Sequence, residues 1–347
     1  MTTKPSYPFL FILLMVSCLL GGCGLQEKND EEAHSANLFA MGTYMNLTAY
    51  GAGAEAALQE AAESIQQLDS LWSVTDEESE IYQVNHSEGQ PVMVSEITAD
   101  LIAFALEIAQ QTDGALDPTI YPLIHAWGFI NQDYHLPAQQ EIQNLLQFTG
   151  YEKVRLDGDT ITVPENFQLD LGAVGKGYTG DLISDLLKER GITSALLDIG
   201  GNIQMIGSKL NGSAWRLGMK NPLGEGNYGI LEVSDCAVVT SGGYERYFTG
   251  EEGNVYWHIL DPDTGQPADS GLLSVTIVAK EGILCDALST AIFVMGLAEG
   301  SQYWRTHGGF DMLLMTKDGE IYLTEGIQKN FTLTENFLGK EIHVITS

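Results

Sequence analysis

Positive charge is the scarcest ingredient of this chain. Its 347 residues hold 16 lysines and arginines against 47 aspartates and glutamates, a formal net charge of -31. A surface this acidic repels nucleic acid and anionic lipid headgroups, so no nucleic-acid partner is expected. An anionic substrate would have to be met by a local cluster of cations or by metal ions. Cysteine is scarce too. There are four and no C-x-x-C pair, so no zinc site of that kind is written here. Cys18 and Cys23 lie in an apolar N-terminal segment. Cys236 and Cys285 remain, as a disulfide or as two unpaired packing thiols. There is no repeat, no low-complexity block and no clear internal linker. Hydrophobic content of 44% is ordinary for a globular protein with a proper core.

One hydrophobic run stands out, "YPFLFILLMVSCLL", just after Lys4. It is short for a bilayer span and has the form of a signal segment. It runs into Leu20-Gly21-Gly22-Cys23, which resembles a bacterial lipobox, cleaved before Cys23 with lipid on the cysteine thiol. An ordinary secretory signal or an uncleaved anchor is the alternative. The polar, acidic stretch that follows reads as a flexible tether. The expected layout is a leader over 1–22, a lipidated Cys23 and acidic tether over 23–36, and a folded domain over 37–347. That layout puts the domain on the extracytoplasmic face of the cell membrane, held only by its lipid.

Periodicity predicts an α+β domain, a mixed β-sheet packed by helices. Residues 37–51 read as a strand. Leu58, Ala61, Ile65, Leu68 and Trp72 recur at spacings of three and four, a helix. A second helix follows Thr98 as N-cap and stops at Gly114. The run 154–163, with its Asp-Gly, is a hairpin. A helix is expected over 178–190, and a strand over 194–207 interrupted at Gly200-Gly201. Further strands are expected at 229–239, 255–260, 273–279 and 311–323. Residues 284–296 read as a buried helix ending at Gly296.

"LDLGAVGKGYTGD", residues 169–181, crowds glycines around Lys176. It is close to the nucleotide-binding G-x-x-x-x-G-K-[ST] loop but fails it twice. Asp170 stands where the first glycine belongs, and Gly177 where the magnesium-binding hydroxyl belongs. A plain strand, glycine turn and helix is the other reading of those residues.

Nine segments taken in order say more than any one. They are "MGTYM", "SEIYQVN", "GALDPTIYPLIHAWGF", "LDLGAVGKGYTGD", "DIGGNIQMIG", "TSGGYERYF", "HILDPDTGQP", "SVTIVA" and "CDALSTAIFVMG". Together they resemble the FAD:protein FMN transferase family, also called ApbE, over nearly all of the chain after the leader. The resemblance implies the flavin transferase fold and a catalytic domain over 37–347. It implies magnesium-dependent transfer of the FMN half of FAD to a threonine or serine hydroxyl of an acceptor flavoprotein, with AMP released. The acceptor would be a membrane redox-pump subunit or a secreted flavoprotein.

Site residues carry over position by position. Asp286 and Thr290 lie four apart, on one helix face, and offer hard oxygens that suit magnesium. The resemblance places the metal there, with the Ala173 carbonyl as a further ligand. It assigns FAD contacts to Met41, Ala115, Leu116, Asp117, Asp170, Lys176, His258, Ile259 and Leu260. Lys176 suits a phosphate or a flavin oxygen, and the helix start behind it favours an anion. His258 is a candidate base for the acceptor hydroxyl. Each has a bland rival: Asp286 as a helix cap, Met41 as core, Asp117 as a turn residue, His258 as a structural histidine. Thr75 departs from the family, standing where many members carry a flavin-stacking tyrosine, a role that Trp72 would then take. By the same resemblance, some members carry a small polar residue there and hydrolyse FAD to FMN and AMP as well as, or instead of, transferring FMN. The alternatives are therefore an FAD pyrophosphatase of the same fold and a lipid-anchored flavin-binding protein.

Overall fold

The computed structural model describes residues 32–347. The expected leader, Cys23 and the tether up to residue 31 lie outside the described residues. The centre of the fold is a nine-stranded mixed sheet. Its strands run in the order Ala33–Ala40, Thr43–Tyr50, Ala195–Ile199, Asn202–Ile206, Ala237–Gly242, Leu272–Ala279, Asp311–Thr316, Ile321–Thr324 and Ile342–Ile345. All neighbours are antiparallel except the last pair, which is parallel.

Alternation along each strand sends neighbouring residues to opposite faces. Val239, Val275 and Ile277 meet Ala287, Leu288 and Ala291 of the Gly282–His307 helix. Val238, Val278, Leu313 and Met315 face the other way, into a cluster with Trp215, Tyr228, Leu231 and Phe331. Those last four belong to a three-stranded sheet of Trp215–Lys220, Asn227–Val233 and Phe331–Leu333. The Ala54–Trp72 helix packs its buried Leu58, Ala61 and Ile65 against Leu47, Leu197 and Leu187.

Several local readings change. The strand expected at 37–51 is two strands, Ala33–Ala40 and Thr43–Tyr50, paired from Ala33↔Tyr50 to Ala40↔Thr43. Regular structure thus begins four residues before residue 37. The turn between them is Met41-Gly42, both with positive φ (51° and 70°), and a methionine there gives no turn signal. The interrupted strand over 194–207 is likewise a hairpin that turns at Gly200-Gly201. The expected strand 229–239 is divided between two sheets, ending at Val233 in one and restarting at Ala237 in the other.

Helix ends move as well. Ser95 rather than Thr98 caps the Glu96–Gln111 helix. Ser95 is held by the Glu80 carboxylate, which accepts from its N–H at 2.9 Å and its hydroxyl at 2.8 Å. Thr98 is buried and accepts from the Trp72 indole at 3.0 Å. The helix expected from 178 begins at Gly175. The buried helix does break at Gly296, at φ 81°, but helical residues resume and run on to His307. Cys236 and Cys285 are free thiols; burial pushes the Cys236 thiol up to about 12.

Candidate active site

The loop 169–175 is fixed before it reaches the site. The Asn85 carboxamide holds Leu169 at both ends, accepting from its N–H at 2.6 Å and donating to its carbonyl at 2.9 Å. The Asp170 N–H donates to Pro118 at 2.8 Å, tying this loop to the 115–120 segment. Asp170 Oδ1 accepts from the Gly172 N–H at 2.8 Å. Burial raises the Asp170 carboxyl from its ordinary value, partly offset by that bond and by the charges of Arg246 and Lys176.

The chain then enters the Gly175–Glu189 helix, which crosses the start of the Gly282–His307 helix at two glycines. A Cβ on Gly177 would lie 2.7 Å from Asp286 Cβ and nearer still to the Gly282 carbonyl. Only glycine permits so close an approach. The Gly177 N–H uses the closeness to donate to Asp286 Oδ2 at 2.9 Å. In a regular helix that N–H would go to the carbonyl four residues back, Ala173. Among the described residues no hydrogen bond ends on Ala173 O. One turn on, Asp181 accepts from Gly282 N at 2.6 Å and Ile283 N at 2.9 Å, capping the second helix. Its carboxyl is pushed up to about 6 by burial, against those two bonds.

This crossing exposes a compact set of oxygens. Asp286 is 3% exposed, and with Oδ2 taken by Gly177 its Oδ1 faces the Lys176 ammonium at 3.7 Å. Lys176 Nζ also donates to Gly172 O at 3.0 Å. The Thr290 hydroxyl is 3.3 Å from Ser241 Oγ, which lies 2.8 Å from Ser289 Oγ. A carboxylate oxygen, a hydroxyl and a free carbonyl are hard donors of the kind magnesium takes. No group of three or more His, Cys, Asp or Glu suited to a metal occurs among the described residues.

Gly172, Ala173, Lys176, Ser241, Asp286 and Thr290 open on a single cleft of about 1100 Å³. Met41, Thr75, Ala115, Leu116, Asp117, Asp170, Ala173, Lys176, His258, Ile259, Leu260, Asp286 and Thr290 all line it. They differ in what they have left to offer a ligand. Asp117 is buried and turned inward. Its carboxylate accepts from Thr119 N at 2.8 Å, Thr119 Oγ1 at 2.6 Å and Tyr151 N at 3.1 Å, so its side chain builds the loop. The Ala115 and Leu116 N–H groups are both used within the loop, on the carbonyl and hydroxyl of Thr112. Ile259 O accepts from Ala268 N at 2.9 Å. Met41 N donates to Asp69 Oδ1 at 2.9 Å, which holds the hairpin tip against the helix ending at Trp72.

Trp72 is buried and stacks on Tyr178 at 5.9 Å. Thr75 is exposed, in a turn whose N–H groups of Thr75 and Asp76 donate to Ser73 Oγ at 3.2 and 3.1 Å.

His258 Nδ1 lies 3.2 Å from the Arg246 carbonyl. A carbonyl only accepts, so Nδ1 carries the proton and Nε2 keeps its lone pair. Burial lowers the imidazole to about 3, helped by the positive charges of Arg246 and Lys176. Arg246 lies within the "TSGGYERYF" segment, where nothing local marks it as functional. It donates to Phe129 O at 3.1 Å and lines the cleft. Among the described residues it has no carboxylate partner, which sets it apart from Arg216 and Lys220 at the same cleft, paired with Glu232 and Glu245.

The profile of the ApbE family matches residues 41–314. The chain belongs to the ApbE family. Among its relatives, a FAD:protein FMN transferase of Klebsiella pneumoniae (strain 342) is 31% identical over 310 residues, covering 88% of this chain and 96% of the relative. One of Treponema pallidum (strain Nichols) is 32% identical, covering 91% and 93%. The crystal structure of the ApbE protein of Thermotoga maritima superposes with a TM-score of 0.81 at 32% identity, covering 86% of this chain and 99% of that one. The flavin transferase ApbE of Vibrio cholerae gives 0.78 at 26%, with the same coverage. The α+β single-domain architecture expected from the sequence is that of these ApbE structures.

Proposed function

We propose that this ApbE-family protein transfers the FMN half of FAD to a threonine or serine hydroxyl of an acceptor flavoprotein and releases AMP. The observation that carries it is one cleft, in a protein of net charge -31, lined by Lys176, the unpaired Arg246, Asp286, Thr290 and Ala173, with the Lys176 ammonium 3.7 Å from Asp286 Oδ1. Two cations and a hard-cation site answer the double negative charge of a pyrophosphate. Relatives bearing the transferase name share this architecture.

The step is a phosphoryl transfer, in which positioning and charge neutralisation do most of the work. The acceptor oxygen forms a bond to the phosphorus of the FMN half. The bond from that phosphorus to the bridging oxygen breaks, and AMP leaves with the electron pair. The hydroxyl proton passes to Nε2 of His258. Burial makes that imidazole a weak base, and the positive charges of Arg246 and Lys176 add to the effect. A bound pyrophosphate offsets their charge and raises its basicity. Asp170, Lys176, Met41 and the 115–117 and 258–260 segments hold the dinucleotide. Magnesium, held by Asp286, Thr290 and the Ala173 carbonyl, would neutralise charge on the phosphates. A lipid on Cys23 would keep the enzyme at the outer face of the membrane, within reach of membrane redox-pump subunits or secreted flavoproteins.

The test is to incubate the protein with FAD, magnesium and a threonine-containing acceptor domain. A fluorescent flavin band on the acceptor that survives denaturation supports transfer; AMP without any label refutes it. A second reading, FAD pyrophosphatase, draws on Thr75. It is small and exposed on the lining of the cleft, and a residue of that size leaves water room to enter. Thr75→Tyr should shift product from free FMN to labelled acceptor, and unchanged partition would remove Thr75 from the account. A flavin-binding protein without turnover would release FAD intact.

A further inference from the structure

The strand Ala237–Gly242 is paired on its two sides to different lengths. Towards Leu272–Ala279 the pairing continues to Gly242↔Ser274. Towards Asn202–Ile206 it stops at Val239↔Asn202, because that neighbour turns away at Gly200-Gly201. Thr240, Ser241 and Gly242 therefore keep one backbone edge that no strand or bridge among the described residues covers; only the Gly242 carbonyl is engaged outside the sheet, by the Glu245 N–H at 3.3 Å in the turn that follows. All three line the catalytic cleft, as do Gly200, Gly201 and Asn202 across the notch. An uncovered edge inside a sheet is a template for another strand.

Two details make this edge more than a fraying end. Ser241 sits on it and is joined through its hydroxyl to Thr290 and Ser289, so the edge runs straight to the oxygen cluster. Asn202, 7% exposed, ends the neighbouring strand with its Nδ2 amide unpartnered. A buried donor without an acceptor is costly unless something supplies one. The edge and the oxygen cluster line one cleft of about 1100 Å³.

The geometry points to the Thr240–Gly242 edge as the docking site for the acceptor, which enters as an extended segment, adds to the sheet by backbone hydrogen bonds and so carries its threonine or serine to the phosphate. This rests on the transferase reading. Strand addition takes affinity from main-chain bonds and specificity from alternate side chains. It explains how one cleft admits a polypeptide without a deep pocket for any particular residue.

The full-length protein, FAD and magnesium are incubated with decapeptides that carry one fixed central threonine and random flanks. Peptides that become fluorescent are remade with a single backbone N-methyl group at each position in turn. A strand on an edge uses every second residue for pairing. N-methylation at alternate positions should thus cut labelling at least about tenfold, the worth of one lost hydrogen bond of about 1.4 kcal/mol. The intervening positions should label normally, and free FMN formed without peptide should not change. Sensitivity that is uniform, absent or without alternation overturns the edge while leaving transfer intact. Label on a folded acceptor but on no peptide overturns it too. FAD consumed with no label on any peptide or acceptor sinks the transferase reading and the edge with it.

Discussion

Replacing Gly177 by alanine probes the helix crossing on which the site is built. The added Cβ would lie 2.7 Å from Asp286 Cβ and 2.6 Å from the Gly282 carbonyl carbon. Real Cβ contacts are near 3.5–4 Å, so the helices must part by about 1 Å. The neighbours are backbone and a Cβ, with no flexible end to swing aside. Overpacking of this kind costs about 1–3 kcal/mol. Separation also stretches the 2.9 Å bond from Gly177 N to Asp286 Oδ2, and a hydrogen bond to a charged group contributes about 1.5–3 kcal/mol. The sum, about 2.5–6 kcal/mol, is a large part of an ordinary domain's stability. Asp286 then loses its orientation, and a displacement near 1 Å can cost about 100-fold in rate. Thermal unfolding and FAD turnover are measured on the same preparation. The expected result is a lower Tm together with a loss of turnover that extra magnesium does not restore. A Gly177→Ala protein with wild-type Tm and turnover would refute the crossing as the device that aims Asp286.

Other outcomes follow from the same geometry. Asp286→Asn keeps an acceptor for Gly177 N–H but removes the charge, so magnesium-dependent FAD cleavage should fall at least about 100-fold; steady-state rates across a magnesium titration check it. Arg246→Gln should raise the KM for FAD roughly tenfold and weaken its dependence on ionic strength, since one of two cations facing the pyrophosphate is lost. Two groups set opposite slopes of stability against pH. His258 titrates at about 3 in the fold against an ordinary 6.5. The unfolded chain therefore binds the extra proton between those values, and stability is lost as pH falls through that window. Asp181 titrates at about 6 against an ordinary 3.8. Here the folded protein binds the extra proton, and stability is lost as pH rises through about 4 to 6. Asp181→Asn should abolish the second slope and His258→Gln the first, read as Tm against pH.

What could be read in the sequence was what local pattern or the nine ordered segments encode. The helix ending at Trp72, the hairpin over 154–163 and the break at Gly296 are all local. So is the pairing of Asp286 with Thr290, which needs only a helical repeat. The turn at Met41-Gly42 was missed because alternation carries on through both strands and methionine is no turn former. The Ser95 cap was missed because its partner, Glu80, lies 15 residues away. Arg246 had no local mark at all; its importance comes from facing His258 and the cleft while its basic neighbours are neutralised by glutamates. Likewise the uncovered edge at Thr240–Gly242 follows from where a different strand, Asn202–Ile206, stops. Such features arise from chain segments far apart in sequence, and only their meeting in the fold gives them chemistry.

The most direct test of the account is acceptor labelling with and without a magnesium chelator. The protein, FAD and a threonine-bearing acceptor domain are incubated, denatured and scored for bound flavin and free AMP. The account predicts equal amounts of both in magnesium and neither in chelator. AMP released without label, or label that persists undiminished in the chelator, would contradict it.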